Sequence, residues 1–452
     1  MTTIPPPRGT RVGAALAALA CTLAAAAAQP ERIALEGGPV VILLPVEGAG
    51  RVSVEAVYDV GIIDDPRGIP QAAHLIEHLA CVGATANDGP GETFRRLNGI
   101  GVANAETMPD LTHYDLCAPA DELDFVLRVE ADRLRSLRID EAIVAQEAPR
   151  CYEEVRFVAT RTPPALGKFA LMAATQAWRH GLDRALVMGG LEDARLDDLR
   201  AFHSAFYTRS NLTLVIVGEF ERDAALDAVR RHFGDLPARP PVHEPIDWTR
   251  APRDATVTWD APATIVYLAF EPPESRAERL VLTLLMEQAA RAISNDREVM
   301  RHATGVDGTN RIWPAARVPV FIAATLREGA DPAEARDALE RRLREVLPLA
   351  SSSALLRQSV RQAAGFPWSL ESRELRAAAD AVASRPGMTP ERATDSVLGN
   401  TAVQIGMRDL WLGPDPDALV REAERVIADD LAALIARTFD PERMIVTTLV
   451  PE

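Results

Sequence analysis

Residues 74–78 read His74-Leu75-Ile76-Glu77-His78. The pattern from Gln71 onward is helical. On a helix, positions i and i+4 lie about 40° apart around the axis and i+3 falls on the same side. Both imidazoles and the Glu77 carboxylate therefore address one site. Neutral imidazole nitrogens are good zinc ligands, and a catalytic zinc takes three protein ligands while keeping one position for water. The metal lowers the pKa of that water, and a neighbouring carboxylate can take its proton. The bland alternative is two histidines and a glutamate on an ordinary helix face. Histidine is scarce, 8 of 452 residues, and three chemically matched positions in five residues weigh against chance.

Working outward, residues 39–45 and 51–58 alternate as strands, and Asp64-Asp65-Pro66-Arg67-Gly68 is a turn. After the pentad come a Gly- and Asn-rich loop, a short helix at 92–97, and strands near 101–107 and 112–118. Asp121 is positioned to cap an amphipathic helix that runs to Leu137. Helices follow at 140–155 and 193–206, then a buried strand at 212–218 and a helix at 221–233.

Residues 236–254 are rich in Pro and Arg and read as a linker. Beyond it the rhythm returns, with strands at 263–270, 318–325 and 443–450 and helices at 275–294, 331–346 and 371–383. The fold class expected is α+β: two similar α+β modules in tandem, each a mostly antiparallel sheet packed with helices. The first module spans 32–238, the linker 239–254, and the second, without a metal site, 255–452.

Residues 1–28 read as an export leader. Arg8 and Arg11 precede an Ala-rich apolar run, and Ala26 and Ala28 fit a cleavage before Gln29. The protein is then periplasmic or secreted; a lipoprotein attached through Cys21 is the alternative. The mature chain has no apolar stretch long enough to span a bilayer. A net charge of −16, from 65 acidic and 49 basic residues, argues against a nucleic-acid partner. Cys81, Cys117 and Cys151 are too few for a disulfide framework and read as core thiols.

The reversed zinc motif H-x-x-E-H resembles that of the pitrilysin/insulinase family, which includes the mitochondrial processing peptidase. In that family the third zinc ligand is a Glu about 76 residues past the second His, with another acidic residue seven positions before it. Glu154 and Glu147 stand at those positions. Glu153 competes with Glu154, but lies about 100° away on a helix. The resemblance implies zinc on His74, His78 and Glu154, Glu77 as general base, and Glu147 orienting a ligand from behind. Gly101-Val-Ala-Asn-Ala-Glu-Thr107, with Asp110, Thr112 and Tyr114, is similar to the family's substrate strand, so Asn104 and Ala105 would hold a peptide as an added strand.

In its second half the family usually carries an Arg and, seven residues later, a Tyr that reach the substrate carbonyl. Arg301 resembles the first, and Gly308 stands at the Tyr position. Arg301 reads equally as substrate-binding or as a surface charge. Longer family members join four such modules, so two modules imply a homodimer or a heterodimer with a related subunit. The function implied is zinc-dependent endopeptidase activity on peptides or unfolded segments, with a non-catalytic or partner-dependent subunit as the alternative.

Overall fold

The computed structural model describes residues 29–161, 191, 194–259, 262–350, 353–364 and 370–451. The expected leader, with Cys21, lies outside them. In the first half, strands form at β1 (Glu31–Ala34), β2 (Val40–Pro45), β3 (Arg51–Tyr58), β4 (Val102–Thr107), β5 (Thr112–Pro119) and β6 (Leu212–Gly218). They assemble in the order β1-β2-β6-β3-β5-β4. The second half contributes β7 (Asp254–Trp259), β8 (Ile265–Phe270), β9 (Ala303–Gly308), β10 (Val320–Leu326) and β11 (Ile445–Pro451), ordered β7-β11-β8-β10-β9.

Setting β1 aside, both sheets wind identically: first strand, fifth, second, fourth, third. In each, the pairing of first and fifth strands is parallel and the others are antiparallel. The protein is therefore α+β, with two similar, mostly antiparallel sheets packed with helices. The central strand β6, Leu-Thr-Leu-Val-Ile-Val-Gly, is buried along its whole length, as a strand covered on both faces must be.

Among the described residues, the helices of the first half are α1 (Ala72–Val82), α2 (Glu92–Ile100), α3 (Leu123–Arg135), α4 (Glu141–Arg161), α5 (Leu196–Phe206) and α6 (Arg222–Phe233). Leu75 and Leu79 of α1 and Leu127 of α3 share a core with Val54, Ala56 and Ile216 of the sheet. In the second half the helices are α7 (Arg276–Ile293), α8 (Val299–His302), α9 (Pro332–Ala350), α10 (Ser353–Ala364), α11 (Ser372–Ala383), α12 (Pro390–Leu412), α13 (Pro416–Arg425) and α14 (Leu431–Thr438).

The long helix α12 crosses back and covers the other face of the first sheet. Leu398, Ala402 and Ile405 pack on Ile42, Leu44, Val215 and Val217. Gly406 permits the close approach: a Cβ there would stand 2.8 Å from Val57 Cγ2. Polar contacts also join the two halves. Arg51 grips the Asp395 carboxylate through Nε at 2.7 Å and Nη2 at 2.6 Å. His243, from the segment between the halves, donates to Asp64 at 2.8 Å, and Arg317 of the second half pairs with the same carboxylate.

Two local expectations differ from the structure. Asp121 does not cap α3; residues Ala120–Glu122 form a 3-10 turn that runs straight into it, and no side chain caps the junction. Strand β7 (Asp254–Trp259) precedes the first strand expected in the second half, at 263–270.

Candidate metal centre

Helix α1 begins abruptly. Gln71 precedes it with a left-handed backbone, φ 68°. Asp65, six residues earlier, supplies the acceptors that the helix start needs: Oδ2 takes the Gln71 N–H at 2.6 Å and Oδ1 the Ala73 N–H at 2.8 Å. The buried Leu75, Ile76 and Leu79 then seat α1 on the core and turn His74, Glu77 and His78 the other way.

Helix α4 faces them. Glu154 Oε2 lies 3.3 Å from His78 Nε2 and 4.0 Å from His74 Nε2. Ligands about 2.0–2.2 Å from a tetrahedral zinc stand about 3.4 Å apart, so this donor set fits zinc by both spacing and chemistry. Each imidazole is held from behind. His78 Nδ1 meets Glu147 Oε2 at 3.2 Å, and His74 Nδ1 meets Gln71 Oε1 at 3.2 Å. Those bonds assign a proton to each Nδ1 and leave both Nε2 atoms facing Glu154. Glu147 is almost wholly buried.

The electrostatics distinguish the two imidazoles. Burial, aided by His78, pushes His74 down to about 4, so this imidazole is neutral. Burial also pulls His78 down, but its bonds to Cys151, Glu154 and Glu147 outweigh that and hold it up at about 11. Of the two imidazoles, His78 is thus the one that must surrender a proton when a metal binds. Burial raises Glu77 to about 7, against the opposing hydrogen bond from Thr107 Oγ1 at 2.8 Å.

Strand β4 is an edge strand of the first sheet, paired only with β5 among the described residues. Asn104 is exposed, Ala105 packs toward the α1 core, and Thr107 touches Glu77. The site opens into a cleft of about 800 Å³ between the halves. His74, Glu77, Ala105 and Glu154 line one wall; Arg311, Trp313, Arg408 and Trp411 line the other.

Arg301 is not among the residues that line this cleft; it sits exposed on the short helix α8. The second half instead presents Arg311, whose guanidinium lies 4.5 Å from the Trp411 ring centre and 5.2 Å from that of Trp313. Gly308 does not face the cleft either. A Cβ there would meet Met286 Cγ at 3.0 Å and Ala290 Cβ at 3.1 Å, both on α7. Sequence reasoning also passed over Gln71, whose only signal is its place one turn before His74. It set Cys151 aside as a core thiol; Cys151 is free and buried, and its sulfur lies within 4.8 Å of the ligand atoms of His74 and His78.

Known proteins share this arrangement of strands and helices. The family model described as "Peptidase M16 inactive domain" matches residues 193–290, a segment that lies after the pentad. The chain is 27% identical over 211 residues to the zinc protease PqqE of Helicobacter pylori, covering 46% of this chain and 47% of that protein. It is 26% identical over 258 residues to the uncharacterized zinc protease Rv2782c of Mycobacterium tuberculosis, covering 55% of this chain and 58% of the other. The chain thus spans about half the length of the curated relatives it matches. Among solved structures, a protease from Helicobacter pylori superposes with a TM-score of 0.63 at 20% identity, over 94% of this chain and 100% of that one. Pitrilysin superposes with a TM-score of 0.58 at 17% identity, over 94% of this chain and 45% of that one. At such identity the structural likeness is one of fold.

Proposed function

We propose, on the premise that this chain is a pitrilysin/insulinase-like protein of the M16 type, that it is a zinc-dependent endopeptidase acting on peptides or unfolded segments. The observation that carries the reading is the convergence of His74 Nε2, His78 Nε2 and Glu154 Oε2 beside Glu77 in one cleft. His74, His78 and Glu154 would hold the metal, and Glu147 and Gln71 orient the two imidazoles. Zinc bound there would polarise the scissile carbonyl and acidify the attacking water.

Glu77 takes the proton of that water and later returns it to the leaving amine. Thr107 keeps the carboxylate aimed into the cleft. The free edge of β4 at Asn104 and Ala105 pairs with the peptide backbone as an added strand, which selects for extended segments with little regard for sequence. Arg311, rather than Arg301, brings positive charge to the wall opposite the metal position, where the carbonyl oxygen gains negative charge. The protein acts outside the cytoplasm once its leader, residues 1–28, is removed, and it pairs with itself or with a related subunit to close the chamber.

A second reading is a partner-dependent or non-catalytic subunit. It draws support from the absence of a Tyr at position 308 and from the "inactive domain" description of the model that matches residues 193–290. Zinc content and turnover of a mixed peptide pool separate the two. The enzyme reading expects about one zinc per chain. It also expects turnover that Glu77→Gln lowers by about 10²-fold or more, with zinc retained. Zinc in both proteins with turnover in neither would favour the subunit reading.

A further inference from the structure

We propose that Cys151 is a fourth protein donor to the metal, so that the site has a resting form closed by His74, His78, Glu154 and the Cys151 thiolate. The inference rests on the zinc reading above and deepens it. Glu147, Cys151 and Glu154 occupy positions i, i+4 and i+7 of α4, which places them along one helix face. Two of the three already address the imidazoles: Glu147 from behind His78, and Glu154 across both Nε2 atoms. Cys151 lies between them in sequence. The ligand atoms of His74, His78 and Cys151 all fall within 4.8 Å of one another.

A tetrahedral zinc with an imidazole and a thiolate sets the nitrogen and sulfur about 3.6 Å apart. The separations in the structure, none above 4.8 Å, exceed that spacing by at most about 1.2 Å. The two α4 donors differ in setting. The Glu154 side chain is 57% exposed and approaches from solvent, whereas Cys151 is fully buried and approaches from the core. Thiolate is the strongest of the available donor types for zinc, and a metal deprotonates a coordinating thiol outright. Binding breaks the S–H bond, releases the proton to solvent and places a sulfur electron pair on the metal; no oxidant takes part. Four protein donors leave no position for the hydrolytic water. Departure of the thiol, with return of a proton to sulfur, reopens the site.

The test is cobalt(II) titration of the chelator-stripped protein beside Cys151→Ser and Cys151→Ala. The proposal expects a near-ultraviolet thiolate-to-cobalt charge-transfer band that saturates at one equivalent and is lost in both variants. The variants should keep the weaker visible bands of cobalt held by imidazole and carboxylate. Visible bands without charge transfer in the unsubstituted protein would overturn the proposal and leave the metal site standing. A charge-transfer band that survives both substitutions belongs to another cysteine and overturns it as well. Failure of cobalt to bind any of the three proteins would instead bring down the metal reading beneath it.

Discussion

Gln71 Oε1 lies 3.2 Å from His74 Nδ1, and the backbone that puts it there is left-handed, φ 68°. Among the described residues no other non-glycine has a positive φ. That conformation costs an L-residue roughly 1–2 kcal/mol. Asp65 holds it in place by accepting the N–H groups of Gln71 and Ala73. Strain of this kind persists where the surroundings over-determine it, and here it serves the orientation of one imidazole.

Gln71→Gly relieves the strain and removes the amide. The metal-free variant should therefore unfold at the same temperature as the unsubstituted protein or a higher one. Its zinc affinity should fall by about 10- to 100-fold, as happens when a partner behind a ligating histidine is lost. Thermal unfolding in chelator and competition against a zinc indicator report the two effects separately. Unchanged zinc affinity would show that the amide does not support His74.

The contact between the halves is pH-sensitive through His243. Burial pulls this ring down, but Asp59 and Asp64 outweigh it and raise it from 6.5 to about 9. Its contribution to stability is complete below its unfolded value and is lost as pH rises through about 9. Asp64 behaves oppositely. Burial raises it, yet His243 and Arg317 hold it below its usual 3.8, so its contribution is lost only as pH falls through that depressed value. His243→Gln should destabilise the protein at about pH 7 by on the order of 1 kcal/mol, because solvent reaches part of the ring. The deficit should vanish at about pH 10. A deficit that persists there would mean that packing rather than charge is at stake.

Arg51 and Asp395 bind β3 to α12, with the carboxylate almost fully buried. Removing the guanidinium leaves an unpaired buried charge, at a cost of about 3–5 kcal/mol. Arg51→Met should show that loss in urea unfolding. The double variant Arg51→Met with Asp395→Leu should recover most of it, since a buried ion pair is often no better than apolar packing. No recovery in the double variant would show that the pair contributes more than mutual neutralisation.

The closeness of His74, His78 and Glu154 was legible in the sequence because their spacing is stereotyped. Two histidines one turn apart, a glutamate between them and two acidic residues seven apart each carry a helical geometry in their spacing. The edge strand at Asn104 and Ala105 was legible through the motif around it. Gln71 was not, because a glutamine one turn before a histidine has no chemical signature of its own; its role depends on a backbone turn set by Asp65. Arg311 was not, because only the packing of the two halves brings it across from His74. Helix α12 was missed for a related reason. Covered by the first sheet on one side and by α11 on another, it carries apolar residues around much of its circumference rather than along one stripe. The short strand β7, Asp-Ala-Thr-Val-Thr-Trp, follows a proline-rich segment and draws its stability from pairing with β11, nearly two hundred residues later.

The position that departs most from the family pattern gives the last prediction. A side chain at residue 308 would point at Met286 and Ala290 of α7, not into the cleft. Gly308→Ala should cost about 1–3 kcal/mol from overpacking. Gly308→Tyr should cost more and leave kcat/KM no higher than before. Arg311→Gln tests the converse: a stability loss of about 0.5–2 kcal/mol as the guanidinium leaves the Trp313 and Trp411 rings, and kcat/KM lower by about 10- to 1,000-fold as charge opposite the carbonyl oxygen is lost. Urea unfolding and peptide turnover on the same preparations decide the matter. A folded Gly308→Tyr protein with raised kcat/KM would mean that β9 can turn its side chain into the cleft and that the missing tyrosine, not Arg311, is the group that limits the reaction.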